Sequence, residues 1–205
     1  MKIQNKNKCI EYSLGKFTII FLFFVFFIFT NKIHASIYYQ HSLSIYNTQD
    51  NAENLNYNTM NNFMFLGATL GSTNRFVLGW SIVLWNRTYK SPEGTDSKIN
   101  TTELGPRVMY FLNQERNFGI SAAYHVYAKG SRTLATTGIK ENISGNSYFI
   151  ALSYHLRLTS TIYGGAAFVY QTLNISEATV DETQSKVSHS YSTYYPMLEF
   201  SLRFR

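Results

Sequence analysis

The chain has 205 residues, with 18 Lys and Arg against 12 Asp and Glu. Five of the lysines and one glutamate fall in residues 1–35, which leaves 13 basic and 11 acidic residues in the other 170 and excludes a nucleic-acid footprint. The single cysteine, Cys9, also lies in the first segment, so the remainder has neither disulfides nor thiolate metal sites.

Residues 1–35 read as a secretory signal peptide. Lys2, Lys6, Lys8 and Lys16 precede an apolar run from Phe17 to Thr30, and a short polar stretch then ends in Ala35-Ser36. A helix of 14 residues covers about 21 Å, short of a bilayer core of about 30 Å. A cleaved leader is therefore favoured over an anchor, with a single domain over residues 36–205.

That domain is rich in Tyr, Phe, Ser, Thr, Asn and Gly, a strand-forming composition. In chain order, the first strand spans Ile37–Asn47, with Ile37, Tyr39, Leu43 and Ile45 on one face and Tyr38, Gln40, Ser42 and Ser44 on the other. A polar loop, Thr48 to Met60, leads to a second strand over Asn62–Gly71. After a tight turn at Ser72–Arg75, Phe76–Thr88 alternates cleanly, with Phe76, Leu78, Trp80, Ile82 and Leu84 facing out. A loop from Tyr89 to Asn100 precedes the fourth strand, Thr101–Leu112, whose inward set is Glu103, Gly105, Arg107 and Met109. A second turn, Asn113–Asn117, starts the fifth strand, Phe118–Lys129, with His125 and Lys129 inward. The loop Gly130–Asn146 leads to Ser147–Arg157, where His155 is inward. After Leu158–Ser160 come Thr161–Leu173, the loop Asn174–Ser190, and the last strand, Tyr191–Arg205, with Glu199 and Arg203 inward.

Small, polar and charged residues thus face inward and large apolar ones outward, the reverse of a soluble sandwich. The expected fold is all-β: an eight-stranded antiparallel up-and-down transmembrane β-barrel. Three short turns and four long loops put both chain ends on the periplasmic side. Aromatic residues near the strand ends are expected at the lipid interfaces: Tyr38, Tyr39, Phe76, Trp85, Tyr110, Phe118, Tyr194 and Phe204. Pro106 and Pro196 fall inside strands, where a bulge would absorb the missing donor.

The leader with eight strands, the segment Glu103-Leu104-Gly105-Pro106-Arg107-Val108-Met109-Tyr110-Phe111, and the terminal Phe200-Ser201-Leu202-Arg203-Phe204-Arg205 together resemble the small outer-membrane β-barrel superfamily, which includes OmpA-like and OmpW-like barrels. The resemblance implies residence in a bacterial outer membrane, surrounded by membrane lipid and lipopolysaccharide. It also implies that barrel-insertion machinery reads the terminal strand.

Inward charge is the candidate chemistry. Glu103/Arg107 and Glu199/Arg203 repeat one spacing on opposing strands, and residues four apart share a face. A salt-bridge network is expected from Glu103, Arg107, His125, Lys129, His155, Glu199 and Arg203, with Arg107–Glu199 as its long-range pair. Such a network would plug the lumen. The leading reading is a non-enzymatic barrel with a structural or surface-interaction role through its loops, without cofactor or metal. The alternatives are a narrow channel for ions or small apolar solutes, and a lipid A-modifying enzyme. For the enzyme, His41-Ser42 and His189-Ser190 match only the residue types of a His/Ser pair. N-terminal sequencing of envelope-derived protein should read from Ser36; a retained Met1 would exclude the leader.

Overall fold

Alternating strands can hide a polar face from hydrocarbon only if the sheet closes around it, because an open sheet would also expose two rows of unpaired backbone groups. The computed structural model shows that closure. It describes residues 36–50, 55–90, 96–134, 137–181 and 183–204, and the expected leader over residues 1–35 lies outside the described residues. The strands are β1 (Ile37–Asp50), β2 (Leu55–Leu70), β3 (Phe76–Tyr89), β4 (Ser97–Phe111), β5 (Phe118–Thr133), β6 (Lys140–Arg157), β7 (Ile162–Val180) and β8 (Thr183–Arg203). Each pairs antiparallel with the next, and β8 returns to β1.

The register fixes the width of the ring. Tyr38 pairs with Gly67, and the line continues through Gly79, Arg107, Ala123, Phe149 and Gln171 to Thr193. Tyr38 itself pairs with Arg203, ten residues further along β8. With ~3.3 Å per residue and ~4.8 Å per strand, that stagger tilts the strands by about 40°. Eight strands so tilted leave room for side chains and little else. The outer face is apolar, with Trp80 57% and Leu198 72% exposed. The inner face is less uniformly polar than its sequence suggests. Tyr38, Phe63, Phe65, Trp85, Phe111, Phe149 and Tyr195 are all buried inside it.

Three of the four expected long loops, all but Tyr89–Asn100, are largely strand. β1 runs to Asp50 and β2 starts at Leu55, while β7 and β8 continue until Val180 pairs with Thr183. Past the apolar wall the outer face turns polar while the inner face stays packed, with Tyr57, Ile99, Ile143, Ile175 and Ala178 buried, so the contrast between the two faces fades while the backbone ladder continues. The opposite end has short connections stitched by side chains. Asn113 Oδ1 accepts from the backbone amides of Asn117 (2.9 Å) and Phe118 (3.1 Å).

A bulge does fall at Pro106, where the β4–β5 register shifts between Leu104 and Arg107, whereas Pro196 stays in regular register with Phe168. β4 keeps strict alternation through Pro106. The extra residue is in β5, between His125 and Ala128, where Val126 and Tyr127 both face out. The β5 backbone lies close against Gly105: a Cβ there would lie 2.1 Å from the Tyr124 carbonyl oxygen and 2.5 Å from His125 Cα. Pro196 ends a ladder. β1 and β8 pair only from Tyr38–Arg203 to Leu43–Leu198, and Pro196, two residues on, has no N–H to extend the seam. The Ser44 hydroxyl bonds its carbonyl instead, and Tyr46 stacks on Tyr195 just above, at 4.5 Å and 9°.

Gly105→Ala should lower barrel stability by about 1–3 kcal/mol. Gly164→Ala, whose new methyl would meet only the flexible Leu158 side chain at 3.2 Å, should change it little. Urea midpoints read from the heat-modifiable gel band would check both.

Candidate functional site: the charged interior

Counting upward from the end where β1 begins and β8 ends, the inward side chains alternate in charge, layer by layer, from Arg203 to Arg87. In the first layer Arg203 lies among aromatic rings, its guanidinium carbon 3.7 Å from the Tyr163 centroid, 4.6 Å from Phe111 and 5.6 Å from Tyr38. One of its nitrogens donates to the Arg116 carbonyl at 2.9 Å. Next comes Glu199, which meets His155 Nε2 at 2.7 Å and accepts from Gln40. Arg107 follows, between Phe65 (4.7 Å) and Phe149 (4.9 Å), donating to Ser121 Oγ at 3.0 Å.

Glu103 is the fourth layer and the most fully bonded. It accepts from Ser147, from Thr101 Oγ1 (3.1 Å) and from Gln171 Nε2 (3.1 Å), with His125 Nδ1 3.5 Å away. His125 bridges Ser81 and Ser147, each at 2.8 Å. Above it Arg87 lies over Tyr57 (4.5 Å), Tyr191 (4.9 Å) and Trp85 (5.4 Å). The column ends in an ion pair, Arg132–Glu141 at 2.7 Å, with Arg132 also donating to the Tyr191 hydroxyl at 3.3 Å.

A buried cation without a carboxylate in contact is costly unless something replaces its hydration. Around Arg107 and Arg203 aromatic faces do so, and a desolvated cation–π contact is worth about 2 kcal/mol. The glutamates lie between the arginine layers, where a low dielectric lets charge act over a distance. This differs from the expected network in three ways. No ion pair joins Arg107 to Glu199 among the described residues; Glu199 takes His155, and Arg107 is held by rings and Ser121. Lys129 faces outward and covers the Tyr127 ring at 5.3 Å, because the β5 bulge reverses the facing beyond it. Tyr38 and Trp85 are interior residues, 0% and 2% exposed, since both share the parity of the inward set. Tyr39, Phe76, Tyr110, Phe118, Tyr194 and Phe204 lie on the outer face.

Arg87 and Arg132 are interior cations that sequence reasoning missed. Arg87 has the inward parity of its strand and could have been found by continuing the alternation. Arg132 could not, because the bulge and a polar neighbourhood hide its facing. The remaining histidine candidates separate. His41 is on the outer face, bonded to Asn62 at 2.8 Å, whereas the adjacent Ser42 is buried inside. His125 and His155 sit in different layers of the column.

A closed antiparallel ring with an apolar outer wall and charge inside is a transmembrane β-barrel, and eight strands make it one of the small outer-membrane class. No protein-family model matches the chain, and no curated protein matches it. Among solved structures it is similar to the β-domain of the Bordetella autotransporter BrkA, at 8% identity and a TM-score of 0.49, over 83% of this chain and 99% of that one. It is also similar to Neisserial surface protein A (13%, TM-score 0.49, 83% and 97% of the two chains). A third likeness is Ail, the attachment invasion locus protein of Yersinia pestis (13%, TM-score 0.44, 83% and 97%). The class assignment rests on the chain's own ring and polarity.

Glu103→Leu strands Ser147, Thr101 and Gln171 together and should cost about 3–5 kcal/mol. Glu103→Gln, which keeps one acceptor oxygen, should cost less than half of that. Urea unfolding in lipid vesicles, followed by tryptophan fluorescence, measures the difference.

Proposed function

We propose that this protein is a non-enzymatic, non-conducting barrel of the bacterial outer membrane whose task is carried by the extended hairpins opposite its termini. The observation that supports this is the filled interior. Arg203, Glu199, Arg107 and Glu103 are each no more than 4% exposed. The rings between them occupy the space that a water path would need.

The hairpins supply the other half of the reading. A tilted strand needs about 9–11 residues to cross a bilayer, whereas β7 has 19 and β8 has 21. The surplus forms a ladder standing clear of the lipid, with Thr, Ser, Gln and Lys over residues 183–190. A rigid polar hairpin presents a fixed surface to a partner without the ordering cost of a loose loop. With both termini in the periplasm, that surface faces outside the cell.

Wild-type protein in planar lipid bilayers should show no discrete conductance. The double variant Arg107→Ala/Glu199→Ala, which removes the middle of the column, should show openings. Steady openings of the wild type would favour the channel reading instead.

A further inference from the structure

On β4, β5 and β6 the outward side chains change character at one level. Leu104 pairs with Tyr127, and Tyr124 pairs with Tyr148. These are lipid-facing residues, between 37% and 49% exposed. Immediately above them the same face carries Thr102 and Lys98 on β4, Lys129 and Ser131 on β5, and Asn142 and Lys140 on β6. Lys98 pairs with Thr133, which pairs with Lys140, so two lysines share one row. Lys129 lies four residues nearer the tyrosines on the strand between them, paired with Thr102.

The β5 bulge creates this cluster. Without its extra residue Lys129 would point into the barrel, next to the interior arginines; with it, the ammonium lies outside above Tyr127. A groove of about 570 Å³ opens here, lined by Asn100, Thr102, Lys129, Ser131, Lys140 and Asn142 among others, and no carboxylate lines it. The neighbouring acid, Glu177, accepts from Ser144 at 3.0 Å. No ion pair reaches Lys98, Lys129 or Lys140 among the described residues.

We propose that this wall seats the phosphate-bearing headgroup of a membrane glycolipid. Position, charge and chemistry agree. The groove starts where tyrosines mark the upper edge of the hydrocarbon, which is the depth of lipid headgroups. Lysines there attract anionic lipid by about 1 kcal/mol each. Asn, Thr and Ser offer donors and acceptors to sugar hydroxyls. The volume suits a headgroup rather than a bare ion. Acyl chains of the same molecule would run down the apolar wall past Leu104 and Tyr127. The outer-leaflet source rests on the orientation proposed above.

The test uses the full folded protein in detergent micelles, with native mass spectrometry to count retained lipid. The probes are bisphosphorylated lipid A, the same lipid with its phosphates removed, and inorganic phosphate as competitor. Wild type should retain the bisphosphorylated form about fivefold more for each contributing lysine, and Lys129→Gln/Lys140→Gln should abolish the preference. Those lysines are exposed, so an unchanged heat-modified gel shift would show that the variant still folds. Equal retention of the two lipids, or an unaltered preference in the variant, overturns the seat. Displacement by millimolar inorganic phosphate would also overturn it, by making it a free-phosphate site. Protease added to intact cells reports orientation separately: hairpins cut only after lysis would remove the outer-leaflet source even with retention intact.

Discussion

The interior of a narrow closed barrel must be filled, and here it is filled with charge that alternates in sign from Arg203 to Arg87. Arg203, Glu199, Arg107, Glu103 and Arg87 succeed one another from the terminal end, and aromatic rings surround each cation. Much else in the structure follows from accommodating this column. Guanidinium groups are long, planar and weakly hydrated, so they can lie flat between rings where an ammonium could not. The single lysine that reasoning from sequence placed among them is turned out of the barrel.

Local irregularities serve the same packing. The extra residue in β5 brings His125 between Ser81 and Ser147 beside Glu103, and Gly105 is bare because that backbone comes so close. At the seam, Pro196 stops the β1–β8 ladder after six residue pairs, and the stacked Tyr46 and Tyr195 rings cover the gap. A ring closed by so few backbone pairs depends on its filled interior to stay closed. Stability and the filling of the lumen are therefore two consequences of one set of contacts.

The strand count, the order of the strands, their antiparallel closure and the facing of most inward residues were legible because period-two alternation is a local property. Glu103, Arg107, His125, His155, Glu199 and Arg203 could each be placed inward from their immediate neighbours. Partner choice was not legible. Glu199 meets His155 and Gln40 because a ten-residue stagger sets which strands meet at which height, and no single strand records that number. The expected loops read as loops because the outer face turns polar there and its contrast with the inner face is lost, although the inner face stays buried and the hydrogen-bond ladder continues.

By itself, then, the sequence determined a closed β-architecture with an inverted polarity, since lipid on one side and a small lumen on the other dictate residue type position by position. Only the tertiary structure decided which charges meet, that Arg107 and Arg203 lie on aromatic rings, and that one bulge carries Lys129 to the outer wall. Those outcomes depend on register and stagger, which are properties of the whole ring and are settled only when β8 finds β1.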